Sequence, residues 1–304
     1  MTFTTMLKEE ISKEEINLIN IRYELLAFLT IAGKINSEEL LLTLENASIA
    51  RRIYKELKII YGVNPKITIR MQKRFKVKQI YILSVKNNLE AIQEDINNFK
   101  LENLVSDEEK KDYLLGSFLA SGNISNPSTS GYHLEFVLAL ESKALEILEV
   151  LNYFNLKAKM IKRGYKYITY IKASECISDL IKMFKATSSL FYFEDIRIYK
   201  DHKNMVNRLN NCEIANQEKS FKSGMEQVKN IEYLKEHDMF DLLDEKTKIV
   251  AEMRVMYPEY SMQEIADLIS SENNYKIGKS GVNHHFIKIK NLVQKEMERC
   301  RDES

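Results

Sequence analysis

Two nine-residue segments of this chain share a pattern that restricts what it can fold into. Leu25 to Gly33 reads L-L-A-F-L-T-I-A-G, and Leu114 to Gly122 reads L-L-G-S-F-L-A-S-G. Each is an apolar helix with a small residue at its third position, a small or aliphatic one at its seventh and a glycine at its end. Small residues one helical turn apart, Gly116 and Ala120 in the second copy, let another backbone approach. Such a helix is suited to close contact with a copy of itself. Each terminal glycine is expected in the left-handed conformation that ends a helix.

The likeness continues past the glycines. The first is followed by an alternating run at Leu40 to Glu45, a helical stretch at Ala47 to Tyr61, and strands at Lys66 to Met71 and Val77 to Val85 around a basic turn. The second is followed by a strand at Tyr132 to Leu140, a helix at Ser142 to Phe154, and strands at Ala158 to Lys162 and Lys166 to Lys172 around Arg163 and Gly164. Both read helix, strand, helix, strand, strand, helix. Two α+β units in the same order predict a pseudo-twofold domain, packed across the two close-contact helices. A turn-rich insertion, Asn123 to Gly131, belongs to the second copy alone. The expected domains are 1–105 and 106–192 for the two repeats, 193–244 for a charged helical linker, and 245–304 for a separate all-α unit.

The chain has 304 residues, enough for two or three domains, and 44% hydrophobic content, enough for a core. Its net charge of +1 argues against a uniformly basic polyanion binder and confines any nucleic-acid site to one segment. Cys176, Cys212 and Cys300 form no C-x-x-C pair, so neither a disulfide framework nor a zinc finger is indicated and a reducing cytoplasm is the expected compartment. The opening M-T-F-T-T-M-L-K-E-E-I lacks a long apolar run and a cleavage site, and no later run approaches a membrane span, so no membrane partner is expected. Cys212 reads as packed, and His202 and His237 as surface residues.

The last unit carries the clearest binding signal. Lys246 to Met256 reads as a helix with Ile249, Met253 and Met256 on one face, stopped by Pro258. Ser261 caps a second helix, with Glu264 at the capping-box position and Ile265, Leu268 and Ile269 facing inward. A third helix begins near Lys279. Its Val282, Phe286, Ile289 and Val293 form an apolar stripe, leaving Ser280, His284, Lys288 and Asn291 opposite, with Asn283 beside them. No acid occurs from Lys279 to Lys295, and Lys279, Lys288, Lys290 and Lys295 add positive charge. Lysines for phosphates, with Asn, Ser or His for base edges, make a recognition helix of a helix-turn-helix. A merely solvated face on a helical bundle is the competing reading. The connection Ser270 to Gly278 exceeds the usual turn of about 3–4 residues, and Gly278 serves as a weaker N-cap than Ser or Asp.

Two basic hairpins could also face a phosphate backbone: Arg70, Lys73, Arg74, Lys76 and Lys78, and then Lys159, Lys162, Arg163, Lys166 and Lys172 with Tyr165, Tyr167 and Tyr170 interleaved. A protein-binding surface, or lysines that guard a strand edge against aggregation, explains them as well. The glycine-ended segments resemble the paired LAGLIDADG helices of homing endonucleases. In that family the residue before the final glycine is an acid that binds the catalytic metal; here the positions hold Ala32 and Ser121. Asp107, Glu108 and Glu109, placed about two turns before Gly122, read as helix-dipole partners rather than ligands. No catalytic residue, metal or cofactor is expected.

Taken in order along the chain, several segments resemble one family, the bacterial WhiA proteins. They are F-T-T-M-L-K-E-E-I from Phe3 to Ile11, Tyr113 to Gly122, Y-H-L-E-F from Tyr132 to Phe136, N-R-L-N-N-C-E-I-A-N from Asn207 to Asn216, and K-S-G-V-N-H from Lys279 to His284. The resemblance implies a DNA-binding protein with a catalytically dead LAGLIDADG domain and a C-terminal helix-turn-helix. It further implies a role in sporulation in some bacteria, and in cell division and chromosome segregation in others. The recognition-helix positions it carries over are Lys279, Ser280, Gly281, Asn283 and His284. The chain departs from the family at the long turn, at Gly278 where serine is usual, and at His285 where arginine is usual, a change expected to weaken contacts to guanine or phosphate. The resulting expectation is a non-enzymatic regulator that binds double-stranded DNA through Ser261, Lys279, Ser280, Gly281, Asn283, His284, Lys288 and Asn291. The alternatives are a protein-interaction scaffold localised by DNA and an endonuclease with relocated metal ligands.

Overall fold

The structure, a computed structural model, describes residues 2–72, 78–129, 131–272 and 276–302. The chain divides into two units, Met1–Asp201 and His202–Ser304. In the first, helix α1 (Phe3–Lys13) precedes two matching runs of elements. One comprises α2 (Ile21–Ala32), β1 (Lys34–Ile35), β2 (Leu40–Leu44), α3 (Ala47–Tyr61), β3 (Lys66–Gln72), β4 (Lys78–Val85) and α4 (Leu89–Asn98). The other comprises α5 (Asp107–Ser121), β5 (Gly122–Ile124), β6 (Leu134–Leu138), α6 (Glu141–Tyr153), β7 (Lys159–Arg163), β8 (Lys166–Ile171) and α7 (Ser174–Met183). The two antiparallel sheets have the same order, β1-β2-β4-β3 and β5-β6-β8-β7. Each copy holds one strand more than its sequence pattern indicates, because β1 and β5 are too short to show alternation.

Those short strands correct the expectation for the glycines. Gly33 (φ −76°, ψ 136°) and Gly122 (φ −71°, ψ 144°) are extended, not left-handed. The chain passes from helix into strand at these points, which requires extended backbone. What glycine provides is space: a Cβ on Gly122 would stand 2.1 Å from Phe118 Cδ2, and one on Gly33 2.5 Å from the Leu29 oxygen.

The close approach of α2 to α5 is as the small residues require. Ala27 is fully buried, and a Cβ on Gly116 would lie 2.1 Å from the carbonyl oxygen of Glu24. Leu25, Phe28 and Leu29 join Leu114, Phe118 and Leu119 in one core with the inner sheet residues Leu42, Leu83, Phe136 and Leu138. Burying each such side chain stabilises the fold by about 1.5–3 kcal/mol.

A charged cluster ties α1, α2 and α3 together. Buried Arg52 donates from Nε and Nη2 to the Glu24 carboxylate at 2.6 and 2.8 Å, and from Nη1 to the backbone oxygens of Ile11 and Glu14. Glu56, one turn along α3, lies 3.1 Å from Arg52 Nε. Burial first, and then the Glu24 carboxylate, push the Glu56 carboxyl well above the usual range against the pull of Arg52. Sequence periodicity gave α1 no place in the fold. In fact it buries Phe3, Leu7 and Ile11, spaced by four residues, and its Glu10 accepts the amides of Ser188 and Ser189 at 2.6 and 2.8 Å.

Those serines open α8 (Thr187–Glu236), a helix of 50 residues. The stretch expected as a linker is therefore shared between the two units. Phe193 is buried in the first core, residues 202–219 are exposed, and Ile231 and Leu234 are buried in the second core. Cys212 lies on the bare stretch and is exposed rather than packed, because no described element covers that part of the helix. His202 and His237 are exposed.

The second unit completes its core with α9 (Glu245–Met256), α10 (Met262–Glu272) and α11 (Lys279–Asp302). The inward face of α9 differs from expectation. Thr247, Val250, Ala251 and Arg254 are buried, whereas Ile249 and Met253 are half-buried and Met256 is 66% exposed. Two polar residues on the buried side hid this face from an apolar count. Among the described residues no helix is long and apolar enough to cross a membrane.

Candidate nucleic-acid interface

The ends of the close-contact helices do not fit a divalent cation. Ala32 carries no ligand atom, and Ser121 Oγ donates to its own helix at Ser117 O, 3.0 Å away. Lys8 reaches the same last turn of α5, donating from Nζ to Leu119 O at 3.1 Å, and burial lowers its pKa to about 8. An ammonium there opposes a metal ion. The acids of the first turn of α5 are engaged elsewhere: Asp107 accepts from Tyr153 Oη, Glu108 pairs with Lys111, and Glu109 forms a capping box with Ser106. With 15 residues in α5, they lie about four turns before Gly122 rather than two. Among the described residues no group of three His, Cys, Asp or Glu side chains is placed to hold a metal.

The hairpins divide their charge. Arg70 is exposed on β3, while Lys73, Arg74 and Lys76, with the side chain of Lys78, lie outside the described residues. In the second sheet the register puts Lys159, Arg163, Lys166 and Tyr170 on one face, and Lys162 and Tyr167 on the other. Glu135 pairs with Tyr170 on the first of these faces, so the face is of mixed sign. Tyr165 at the turn is 99% exposed, and Lys162 and Lys172 lie over the rings of Tyr167 and Tyr170, each at 5.3 Å.

In the C-terminal unit the local signals assemble as the sequence indicates. Ser261 Oγ accepts the Glu264 amide at 3.2 Å and Glu264 Oε2 accepts the Ser261 amide at 2.6 Å, so Ser261 is the cap that starts α10. Arg254 stands behind this turn. Its Nη1 donates to the carbonyls of Tyr257, Pro258 and Tyr260, its guanidinium lies 5.2 Å from the Phe286 ring, and burial lowers its pKa to about 10. The long connection to α11 is pinned at its far end, where Ser270 Oγ bonds both the amide and the carbonyl of Ile277 at 3.1 and 3.2 Å. Gly278 O accepts the Val282 amide, so this glycine fills the cap position.

α11 separates its faces cleanly. Val282, Phe286, Ile289 and Val293 are buried, while Lys279, Ser280, His284, Lys288 and Asn291 are exposed and Gly281 and Asn283 are half-buried. Gly281 is held close to Ile277, whose Cγ1 would be 2.8 Å from an added Cβ. Two of the lysines already have partners: Lys288 Nζ lies 2.5 Å from Asp244, and Lys290 Nζ 3.1 Å from Glu226. The hydrogen bonds from Lys288 and then from Thr247 hold the Asp244 carboxyl well below the usual carboxylate range. Because Thr247 donates to Asp244 at 2.6 Å, His285 Nδ1, 2.8 Å from the same hydroxyl, is the donor to it. His285 is half-buried against α9 and burial lowers its pKa. His285 thus serves the packing of α11 on α9 rather than the exposed face. Ile287, which no sequence pattern marks, is 48% exposed and lines two shallow grooves. One of them, about 330 Å³, is shared with His284, Lys288, Asn291 and Lys295.

Family models match in chain order: the WhiA N-terminal LAGLIDADG-like domain at 20–97, the WhiA LAGLIDADG-like domain at 110–203, and the WhiA C-terminal HTH domain at 206–293. A protein of Bacillus subtilis named probable cell division protein WhiA is 36% identical, over 97% of this chain and 96% of its own. One of Exiguobacterium sibiricum with the same name is 38% identical over the same shares. The crystal structure of full-length WhiA from Thermatoga maritima superposes with a TM-score of 0.59 at 22% identity, over 97% of this chain and 99% of that one. The fold is thus an α+β, pseudo-twofold LAGLIDADG-like unit followed by a helical helix-turn-helix unit, and the chain belongs to the WhiA family.

Proposed function

We propose that this chain binds double-stranded DNA in a sequence-specific way and acts in cell division and chromosome segregation, as a transcriptional regulator that cuts no DNA. The observation that carries the reading is the separation of faces on α11, with an apolar stripe in the core and Lys279, Ser280, His284, Lys288 and Asn291 exposed. Ser261 contributes by fixing the start of α10, and Asn283 and Gly281 by lying at the α11 entry; the repeats are taken as 1–105 and 106–192, and the reader as 245–304 together with the end of α8, whose Ile231 and Leu234 lie in the same core. The relatives' name, probable cell division protein, supplies the process. A cytoplasmic, nucleoid-associated location follows from such a role. Lys288→Gln with Asn283→Ala tests it; glutamine avoids setting a second acid against Asp244. Duplex binding by the full chain that survives both changes at moderate salt would rule out α11 as the reader. Wild-type affinity should fall steeply with salt, with a log–log slope of about 0.9 per phosphate contacted. The absence of cleavage is tested with supercoiled DNA and Mg or Mn, where cutting would overturn it.

The first unit also has a feature that favours a protein contact. Ile67, Ile69 and Met71 share one face of the edge strand β3 and are 46%, 57% and 53% exposed. In that reading DNA binding localises a scaffold. A chain lacking residues 245–304 that keeps its partners and loses DNA would support it.

A further inference from the structure

The exposed face of α11 has an apolar centre. At about 100° per residue, Ser280, Asn283, Asn291 and Gln294 all project within about 40° of Ile287, and His284 within about 60°. Lys290 and Lys279 flank this set on one side, and Lys295 and Lys288 on the other, each about 60–100° away. Ile287 is 48% exposed, although Phe286 and Ile289 beside it in sequence are 4% and 1% exposed, so its side chain is not part of the core. It forms the ridge between two grooves, one lined by Asn283 and Lys290 and the other by His284 and Asn291. An apolar side chain at the middle of a polar, lysine-flanked helix face makes no hydrogen bond to DNA. In the major groove its complement is the apolar group on a base edge, the 5-methyl of thymine.

We propose that Ile287 is a specificity-determining residue that reads a thymine methyl at the centre of the recognised site, with Asn283, His284 and Asn291 reading the flanking base edges. This rests on α11 being the DNA reader, and it adds a defined base preference to that reading. An apolar contact to a methyl group supports about a fourfold preference, the ratio expected for burying one carbon. Lysines set the affinity for any sequence, whereas Ile287 acts at one base pair.

The test begins with enrichment of a random duplex library by the full-length chain, followed by replacement of each thymine of the enriched duplex with uracil, which removes only the methyl. In the wild type, one replacement should weaken binding about fourfold. The same replacement should have no effect on Ile287→Ala, whose own selection should lose the preference at that position alone. Ile287→Val should keep it. Binding by Ile287→Ala and the wild type that responds identically to every uracil would overturn the assignment while leaving α11 as the reader. A wild-type chain that enriches no sequence would instead remove the reading beneath it, and the assignment with it. Because Ile287 lies outside the core, Ile287→Ala should keep the thermal midpoint of the wild type, which separates loss of reading from loss of fold.

Discussion

Gly116→Ala tests the central packing claim, because the two effects it combines have opposite signs. Within a helix, alanine is favoured over glycine by about 1 kcal/mol, so a Gly116 with free space would gain stability. The added Cβ would instead stand 2.1 Å from the Glu24 oxygen, 2.8 Å from its carbonyl carbon and 3.0 Å from its Cα, where ordinary contact begins at 3.4 Å. All three atoms are backbone, so no rotamer change relieves the overlap and α2 must move away from α5 by more than 1 Å. Overpacking of this kind costs about 1–3 kcal/mol, and the absence of a flexible neighbour places the cost at the upper end. The net loss is then about 2 kcal/mol, or about 4–8 °C in the midpoint of a unit of this size. The assay is calorimetry of the full chain, with hydrogen exchange of α2 and α5 amides assigning the transition. Gly131→Ala is the control: nothing lies within 4 Å of its added Cβ, and its midpoint should hold. A Gly116→Ala chain as stable as the wild type, or more so, would refute the close approach.

Other outcomes follow from the electrostatics and the caps. Asp244→Asn frees Lys288 from its 2.5 Å ion pair; duplex affinity should rise and the log–log salt slope steepen by about 0.9, one phosphate more, as read by anisotropy titration, and an unchanged slope would place Lys288 off the DNA. Burial first and then Glu24 raise the Asp112 carboxyl to about 6. Since its unfolded value is about 4, the folded chain keeps a proton that the unfolded chain releases, and the contribution of Asp112 to the stability of the first unit falls as pH rises from about 4 to about 6. Asp112→Asn should remove that contribution, about 1 kcal/mol after solvent screening, read as the difference between wild-type and variant urea midpoints at both ends of the window; a variant whose pH dependence matches the wild type would contradict the assignment. Ser261→Ala removes the capping box of α10 and should cost the second unit about 1 kcal/mol, lowering its calorimetric midpoint while that of the first unit stays in place.

What the sequence disclosed depended on periodicity. The alternation at Leu40–Leu44 and the four-three-four spacing of Val282, Phe286, Ile289 and Val293 were enough to place β2 and the buried face of α11, and S-M-Q-E located the start of α10. Where burial is not apolar, that signal fails. Thr247 and Arg254 face the core because the Thr247 hydroxyl and the Arg254 guanidinium have partners there, so α9 appeared rotated. Glycine is ambiguous for a related reason: a left-handed turn and a close approach both select it, and at Gly33 and Gly122 the second applies. Ion pairs across the fold, such as Lys288 with Asp244, carry no local pattern at all. An exposed isoleucine such as Ile287 likewise breaks no rule of composition, so its position becomes informative only once the helix faces are known.

The end of α5 shows how the pair of close-contact helices is satisfied without an acid at its last turn. An acid at position 121 would sit at the negative end of the helix dipole and add to it, a cost that a bound cation offsets. With serine there, the hydroxyl returns to Ser117 O, and the ammonium of Lys8 donates to Leu119 O, so the same turn is satisfied by positive charge from within the chain. The packing of α2 on α5 depends on Ala27 and Gly116, which lie away from that turn and do not sense its charge. Lys8 comes from α1, whose Glu10 also caps the start of α8, so a single N-terminal helix closes the last turn of α5 and anchors the first turn of α8.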